Sequence, residues 1–249
     1  RPSGTTGEED EIEEGWSGGF LKPAFIDNVE YASNSEDWTL NLYPYANPIV
    51  SKDGTSMGLL YNAGDINDTE KILPAISYNS DGIYEVPEVI TGWGEDENVA
   101  SSIDYDGNSN IQVLAFDAAK YSESDGSNID DITNSMNSSE IYVTTIIDGN
   151  KVTKKLTSDS ESDSTPVVYV NGNKAAVLWQ KGNYDIDGET GSFGYKNGDS
   201  LWYSVFDGND WSSPKVLEDG AIGTTQSYDV ALASDGTIMA LTSKSANYN

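Results

Sequence analysis

Hydrophobic and polar residues alternate along this chain in short runs, with no sustained helical period. Segments such as LWYSVF (201–206), AAVLW (175–179) and IYVTTII (141–147) are rich in Val, Ile, Leu, Tyr, Trp and Thr, and clusters of Gly, Asp, Asn and Ser bound them. That is the pattern of β-strands separated by tight turns. Asp-Gly or Asn-Gly sits at most of the turns, as in DGN (148–150) and NGN (171–173). A two-residue hairpin turn needs φ > 0, which Gly and Asn tolerate. The pattern predicts an all-β chain made of hairpins.

The hairpins repeat. NPIVSKDGTSMGLLYNAG (47–64) aligns without gaps on TPVVYVNGNKAAVLWQKG (165–182), placing Pro48 on Pro166, Gly54 on Gly172, Leu60 on Leu178 and Tyr61 on Trp179. Looser copies lie at 101–116 and 228–241, and the turn glycines Gly54, Gly107, Gly172 and Gly236 follow one another at 53, 65 and 64 residues. A second hairpin type, at 76–90, 141–156 and 201–217, alternates with the first, and a weaker copy of it, VEYASNSEDWTLNL, occupies 29–42. Two hairpins make a four-stranded unit of about 60 residues, and radial repetition of such units is a β-propeller. A β-sandwich does not predict hairpins in strict alternation.

The expected fold is therefore all-β, a β-propeller of four-stranded antiparallel blades. The blades run near 46–92, 99–158 and 165–219, and a closing blade is assembled from 29–42 plus 228–241. Pairing the two leftover hairpins leaves no open sheet edge. The count is four blades if the chain is complete, and part of a larger propeller otherwise. Residues 1–19, GEEDEIEEGWSGG at their core, read as an acidic, Gly-rich tail or linker, and 20–249 as the propeller.

Charge narrows the partners. With 42 acidic and 13 basic residues in 249, the net charge is −29. This argues against nucleic acid, whose phosphates are bound by Lys and Arg, and favours solubility and cation binding. No apolar run is long enough for a membrane span. The chain has no Cys and no His, and its single Arg is Arg1. Disulfides, thiolate chemistry, a His base and an Arg clamp on an anion are thus absent from the repeat region. The acidic composition, rich in Asn, Ser and Tyr, suggests a secreted or cell-surface bacterial protein. The first residue is not Met, the expectation for a processed or trimmed chain with further domains in its parent.

The segment SVFDGNDW places Ser204, Asp207, Gly208 and Trp211 nearly in the order of the Asp-box, Ser-x-Asp-x-Gly-x-x-Trp, with Asp one position late. On that basis residues 29–241 resemble the sialidase-type bacterial surface propellers. The resemblance implies a structural role for Asp207 and Trp211, in the turn and in packing. It does not imply sialidase activity, because the arginine triad of that family has no counterpart here.

In an up-and-down blade the tight turns share one face, and the long loops 62–71, 117–139 and 180–199 share the other, which is the expected binding face. In the last of these loops Tyr184, Phe193 and Tyr195 are candidate glycan contacts, and Asp185, Asp187 and Glu189, at alternate positions around Gly188, are candidate Ca²⁺ ligands. The bland alternatives are rings covering the blade edge and a solvated acidic loop. Trp179 and Trp202 read as inter-blade packing. Asp163 and Asp229, near the starts of innermost strands, are the carboxylates available for glycoside chemistry. The functional expectation is an extracellular, non-catalytic binding or display module, with glycans or a surface protein as partners and no cofactor beyond Ca²⁺. The alternatives are a carboxylate-based glycoside hydrolase domain and a purely structural module of a surface assembly.

Overall fold

The computed structural model describes residues 38–41, 47–65, 72–80, 83–84, 88–90, 97–120, 129–186, 193–196, 198–218 and 224–245. The described residues form antiparallel sheets and one short helix. The first strand, β1 (Trp38–Asn41), is followed by β2 (Asn47–Val50), β3 (Met57–Asp65), β4 (Ile72–Ser80) and the short β5 (Ile83–Tyr84) and β6 (Glu88–Val89). The second unit is β7 (Val99–Gly107), β8 (Gln112–Ala119), β9 (Glu140–Ile147) and β10 (Asn150–Lys155), paired in that order. The helix α1 (Ile129–Asn137) lies between β8 and β9. The third unit is β11 (Ser162–Asn171), β12 (Lys174–Gly182), β15 (Ser200–Phe206) and β16 (Lys215–Glu218), with the small hairpin β13 (Tyr184–Ile186) and β14 (Phe193–Tyr195) inserted. The hairpin β17 (Thr224–Leu232) and β18 (Ile238–Ser245) stands as a two-stranded sheet.

The second and third units each hold four antiparallel strands, and the first holds six, with β3 and β4 at its centre. A single parallel bridge, Ile72 with Val99, joins the first two into one sheet. The turns follow the expected chemistry. Ile147 pairs with Asn150, and both residues between them, Asp148 and Gly149, have positive φ, 51° and 76°, which defines a type I′ turn. Gly54 (φ 73°) and its aligned partner Gly172 (φ 62°) are also left-handed. Their loops differ, however. Asn171 pairs with Lys174 across two residues, whereas Ser51 donates its N–H to the Ser56 carbonyl across four.

Packing explains why β8 and β12 read as nearly continuous apolar runs. Val113 and Ala115 of β8 join Val168, Val177 and Trp179 in one core, while Leu114, Phe116 and Ala118 join Leu60, Ile76 and Tyr142 in another. Likewise Ala176 and Leu178 of β12 pack with Val230 and Leu232 of β17, away from Ala175 and Val177. Each central strand is thus covered on both faces by neighbouring units. Trp179 is fully buried and Trp202 packs against the same core, as the inter-blade reading expected. Trp211 is buried, its indole N–H donating to Thr145 Oγ1 at 2.9 Å, and Asp207 accepts the amides of Asn209 and Asp210 within its turn.

Two features depart from the sequence reading. The segment 117–139 contains α1, although no helical period was recognised there. Asp130 and Asp131 occupy its first turn, where acidic groups favour a helix start. The expected sheet between 29–42 and 228–241 is not present among the described residues. Trp38–Asn41 instead pairs with β3, from Asp65 to Asn62, on the edge that also carries β2, and 29–37 lie outside the described residues. The outer edge of β18 has no partner strand among the described residues, and Met239 and Leu241 are 68% and 79% exposed there.

Candidate functional site

Lys52, in the turn between β2 and β3, lies against β7, β11 and β17. Its ammonium lies 3.3 Å from Asp229 Oδ1 on β17 and 3.4 Å from the carbonyls of Val168 on β11 and Val230 on β17. The ring centroid of Tyr169, also on β11, is 4.5 Å away. The backbone N–H of Lys52 donates to Asp106 Oδ1 on β7 at 2.8 Å. One residue of the first unit thus touches the inner strands of the other three.

Carboxylates bridge these strands. Among the described residues β11 pairs with β12 alone, so the N–H groups on its other edge need other acceptors. Asp104 and Asp106, at alternate positions on β7, supply them. The Val168 N–H donates to Asp104 Oδ2 at 2.8 Å and the Val170 N–H to Asp106 Oδ2 at 2.7 Å, each link spanning 64 residues. Asn108 continues the series, donating to the Gly172 carbonyl at 2.8 Å across 64 residues. Asn171 repeats the device at the next interface, donating to the Leu232 carbonyl at 2.8 Å. Burial pushes the Asp104 carboxyl above its ordinary range, opposed by the Val168 and Tyr105 amides and the Lys52 ammonium. Asp229 is different: its side chain is 68% exposed and its partners are Lys52 and the Val230 amide. Two carboxyl groups in unlike environments therefore share the influence of one ammonium, Asp229 by contact and Asp104 through its field.

Toward the starts of these strands lies a second polar group. Thr165 has φ 55°, an uncommon value for a β-branched residue and one that a following proline disfavours. It occupies the β-bulge that breaks the β11–β12 register between Ser164 and Val167. Its N–H donates to buried Asp117 Oδ2 at 2.8 Å, and its carbonyl accepts the Tyr228 hydroxyl. Asp117 also accepts from the Ser101 hydroxyl and the Ser102 N–H, and burial raises its carboxyl. Both of its oxygens are spent on holding β7 and β11. The Tyr195 hydroxyl and Ser164 Oγ are 2.6 Å apart, and burial pushes Tyr195 up to about 12 and Tyr228 upward. Asp199 joins this end, accepting from Thr225 N–H at 2.8 Å and Gln180 Nε2 at 2.9 Å.

The residues singled out from the sequence scatter. Tyr184 and Tyr195 meet edge to face at 5.5 Å, and Tyr184 N–H and C=O both bond to Asn137 of α1, so two of the long loops do come together. Phe193 pairs with Ile186 in the β13–β14 hairpin. Asp185 is exposed, 3.5 Å from the Lys196 ammonium, whereas Asp187 and Glu189 lie outside the described residues. Asp163 is not at the axis. It is fully buried between the second and third units, held by Trp179 Nε1–H at 2.6 Å and the Lys181 ammonium at 3.0 Å. Of the two carboxylates available for glycoside chemistry, Asp229 alone reaches Lys52. Sequence reasoning missed Lys52, Asp104 and Asp106. The signal that carries the last two is the polar alternation in IDYDGN (103–108), two acidic residues at alternate positions of one strand.

No protein-family model matches the chain, and none of the curated protein sequences matches it. Solved structures do. A polysaccharide lyase, an ulvan lyase bound to a GlcA(1-4)Rha3S oligosaccharide, is similar over 68% of this chain at 10% identity and TM-score 0.44. A B. megaterium levansucrase variant is similar over 88% at 13% identity and TM-score 0.41, and a Bacillus subtilis levansucrase variant over 92% at 13% identity and TM-score 0.44. The chain spans 42% of the lyase, 64% of the first levansucrase and 67% of the second. These neighbours are glycan-active enzymes, whereas the sequence reading expected a non-catalytic binding or display module. No family match supports the resemblance to sialidase-type repeats.

Proposed function

We propose that this chain forms a four-bladed ring around Lys52 and acts on glycosidic bonds with carboxyl groups at that axis. The observation that carries this reading is the meeting at Lys52 of exposed Asp229 on β17 with the β7–β11 seam that Asp104 bridges. Glycoside cleavage needs one carboxyl that keeps its proton near neutral pH and one that stays ionised, and environment sets which is which. Asp104, raised by burial, suits the proton donor. Asp229, exposed and beside an ammonium, suits the carboxylate. The rim of Thr165, Ser164, Tyr195 and Tyr228 supplies hydroxyls, which fit sugar recognition. The acidic, cysteine-free composition supports action outside the cell.

The test is release of reducing ends, or of unsaturated ends, from a panel of polysaccharides at pH 5–7. Asp104→Asn and Asp229→Asn are each expected to lower turnover by about 100-fold or more, the scale of general acid–base assistance. Wild-type rates in both variants would sink the reading, as would no product from any polymer.

A further inference from the structure

The charge around this axis carries the reading one step further, to the class of sugar. Resting on the proposed glycosidic activity, we infer that the site takes an uncharged glycan, built of neutral sugars, and rejects polyuronates and sulfated polymers.

Three observations converge. At Lys52, buried Asp106 on β7 accepts the backbone N–H and Asp229 on β17 pairs with the ammonium, and the chain as a whole carries a net charge of −29. A uronate or sulfate entering here meets carboxylates in a partly desolvated setting, where like charges repel far more than in water. Second, the cation at the axis is already spent. An ammonium has three N–H donors, and those of Lys52 face Asp229 Oδ1, the Val168 carbonyl and the Val230 carbonyl. To bind an anionic sugar it would have to abandon one of them, and the face of Tyr169 as well. Third, bidentate recognition of a carboxylate or sulfate is the work of arginine, and the chain's one arginine, Arg1, lies outside the described residues.

A neutral sugar fits the same groups. Its hydroxyls donate to carboxylate oxygens, and Asp229 is exposed enough to accept them. Thr165, exposed, carries a hydroxyl that can both donate and accept.

The experiment is affinity electrophoresis of the full chain in gels containing β-glucan, xylan or mannan on one side, and polygalacturonate, alginate or a sulfated galactan on the other, at 0.15 and 0.5 M NaCl. The expected result is retardation by at least one neutral polymer, at least tenfold tighter than by any polyanion and unchanged by salt. Asp229→Lys, with an unaltered circular dichroism spectrum, is expected to weaken neutral-polymer binding and to narrow that gap to the polyanions. Preference of the wild-type chain for a polyanion overturns the inference, and so does retardation by none of the neutral polymers. Binding of a neutral polymer without cleavage leaves this inference standing and removes the glycosidic reading. Cleavage of a polyuronate does the reverse.

Discussion

Asp104 Oδ2 accepts the backbone N–H of Val168 at 2.8 Å, although 64 residues separate them. The bond joins the inner strands of two successive units, and its neighbour two positions on, Asp106 to Val170, does the same at 2.7 Å. Side chains of one repeat thereby do for the next repeat's inner edge what a strand partner does elsewhere in a sheet. The same bonds place two carboxyl groups where the inner strands meet, so the architecture and the candidate chemistry share residues.

Asp106 accepts three amides, those of Lys52, Gly107 and Val170. Asp106→Ala strands them, and leaving buried donors unsatisfied costs about 1–3 kcal/mol each. Urea denaturation is expected to show a loss of about 3 kcal/mol or more. A loss below about 1 kcal/mol would mean that water replaces the carboxylate, and that the bridge between units is dispensable.

Gly54 and Gly172 have φ of 73° and 62°, and a Cβ added at either would meet no atom within 4 Å. The cost of Gly→Ala is then conformational alone, about 1–2 kcal/mol at each position. Equal losses in thermal melts of Gly54→Ala and Gly172→Ala would confirm that the two loops, of different length, impose the same backbone demand. An effect at neither would refute the left-handed turn.

Thr165 bonds to its surroundings through its backbone N–H and carbonyl. Thr165→Asn keeps both bonds and places at φ 55° a residue that tolerates it. The melting temperature is expected to rise, by an amount worth about 1 kcal/mol. A fall would show that the threonine side chain contributes more than its strain removes.

Burial lifts the Asp163 carboxyl to about 7, opposed by the Lys181 ammonium and the Trp179 indole, with Asp159 adding to the rise. A folded-state value above the unfolded one means that the native state binds the proton more tightly. The associated stability is present below the ordinary value of 3.8 and lost as pH rises through about 7. Urea denaturation is therefore expected to show higher stability at pH 5 than at pH 8, and Asp163→Asn is expected to flatten that difference. Trp179 fluorescence is expected to titrate over the same range in the wild type. An identical pH dependence in the variant would assign the transition to other groups, Asp159 and Glu161 beside Lys181 being the nearest.

Much of this fold is local, and the sequence by itself determined that part. Alternation made the strands, Asp148-Gly149 and Gly172 made the turns, and the recurrence of two hairpin types marked the three units. Turn chemistry and strand pattern act over a few residues, so they leave a trace along the chain. The helix α1 was local too but short, and nine residues give a helical period little room to show. What only the tertiary structure decided are relations between distant positions. Lys52 meets Asp229 across 177 residues and Val168 across 116, and Asp104 meets Val168 across 64. Nothing in a run of sequence distinguishes a lysine in a turn from one whose ammonium lies among three other strands. In a chain with 42 acidic residues, the carboxylates that matter are separated from the rest by desolvation and by the amides they face. Both are properties of packing, which sheet-against-sheet contact creates and sequence spacing does not record. Asp163 makes the contrast plain. Its position near the start of an inner strand suggested the axis, but the pleat turned its side chain away, into the interface between two units beside Trp179.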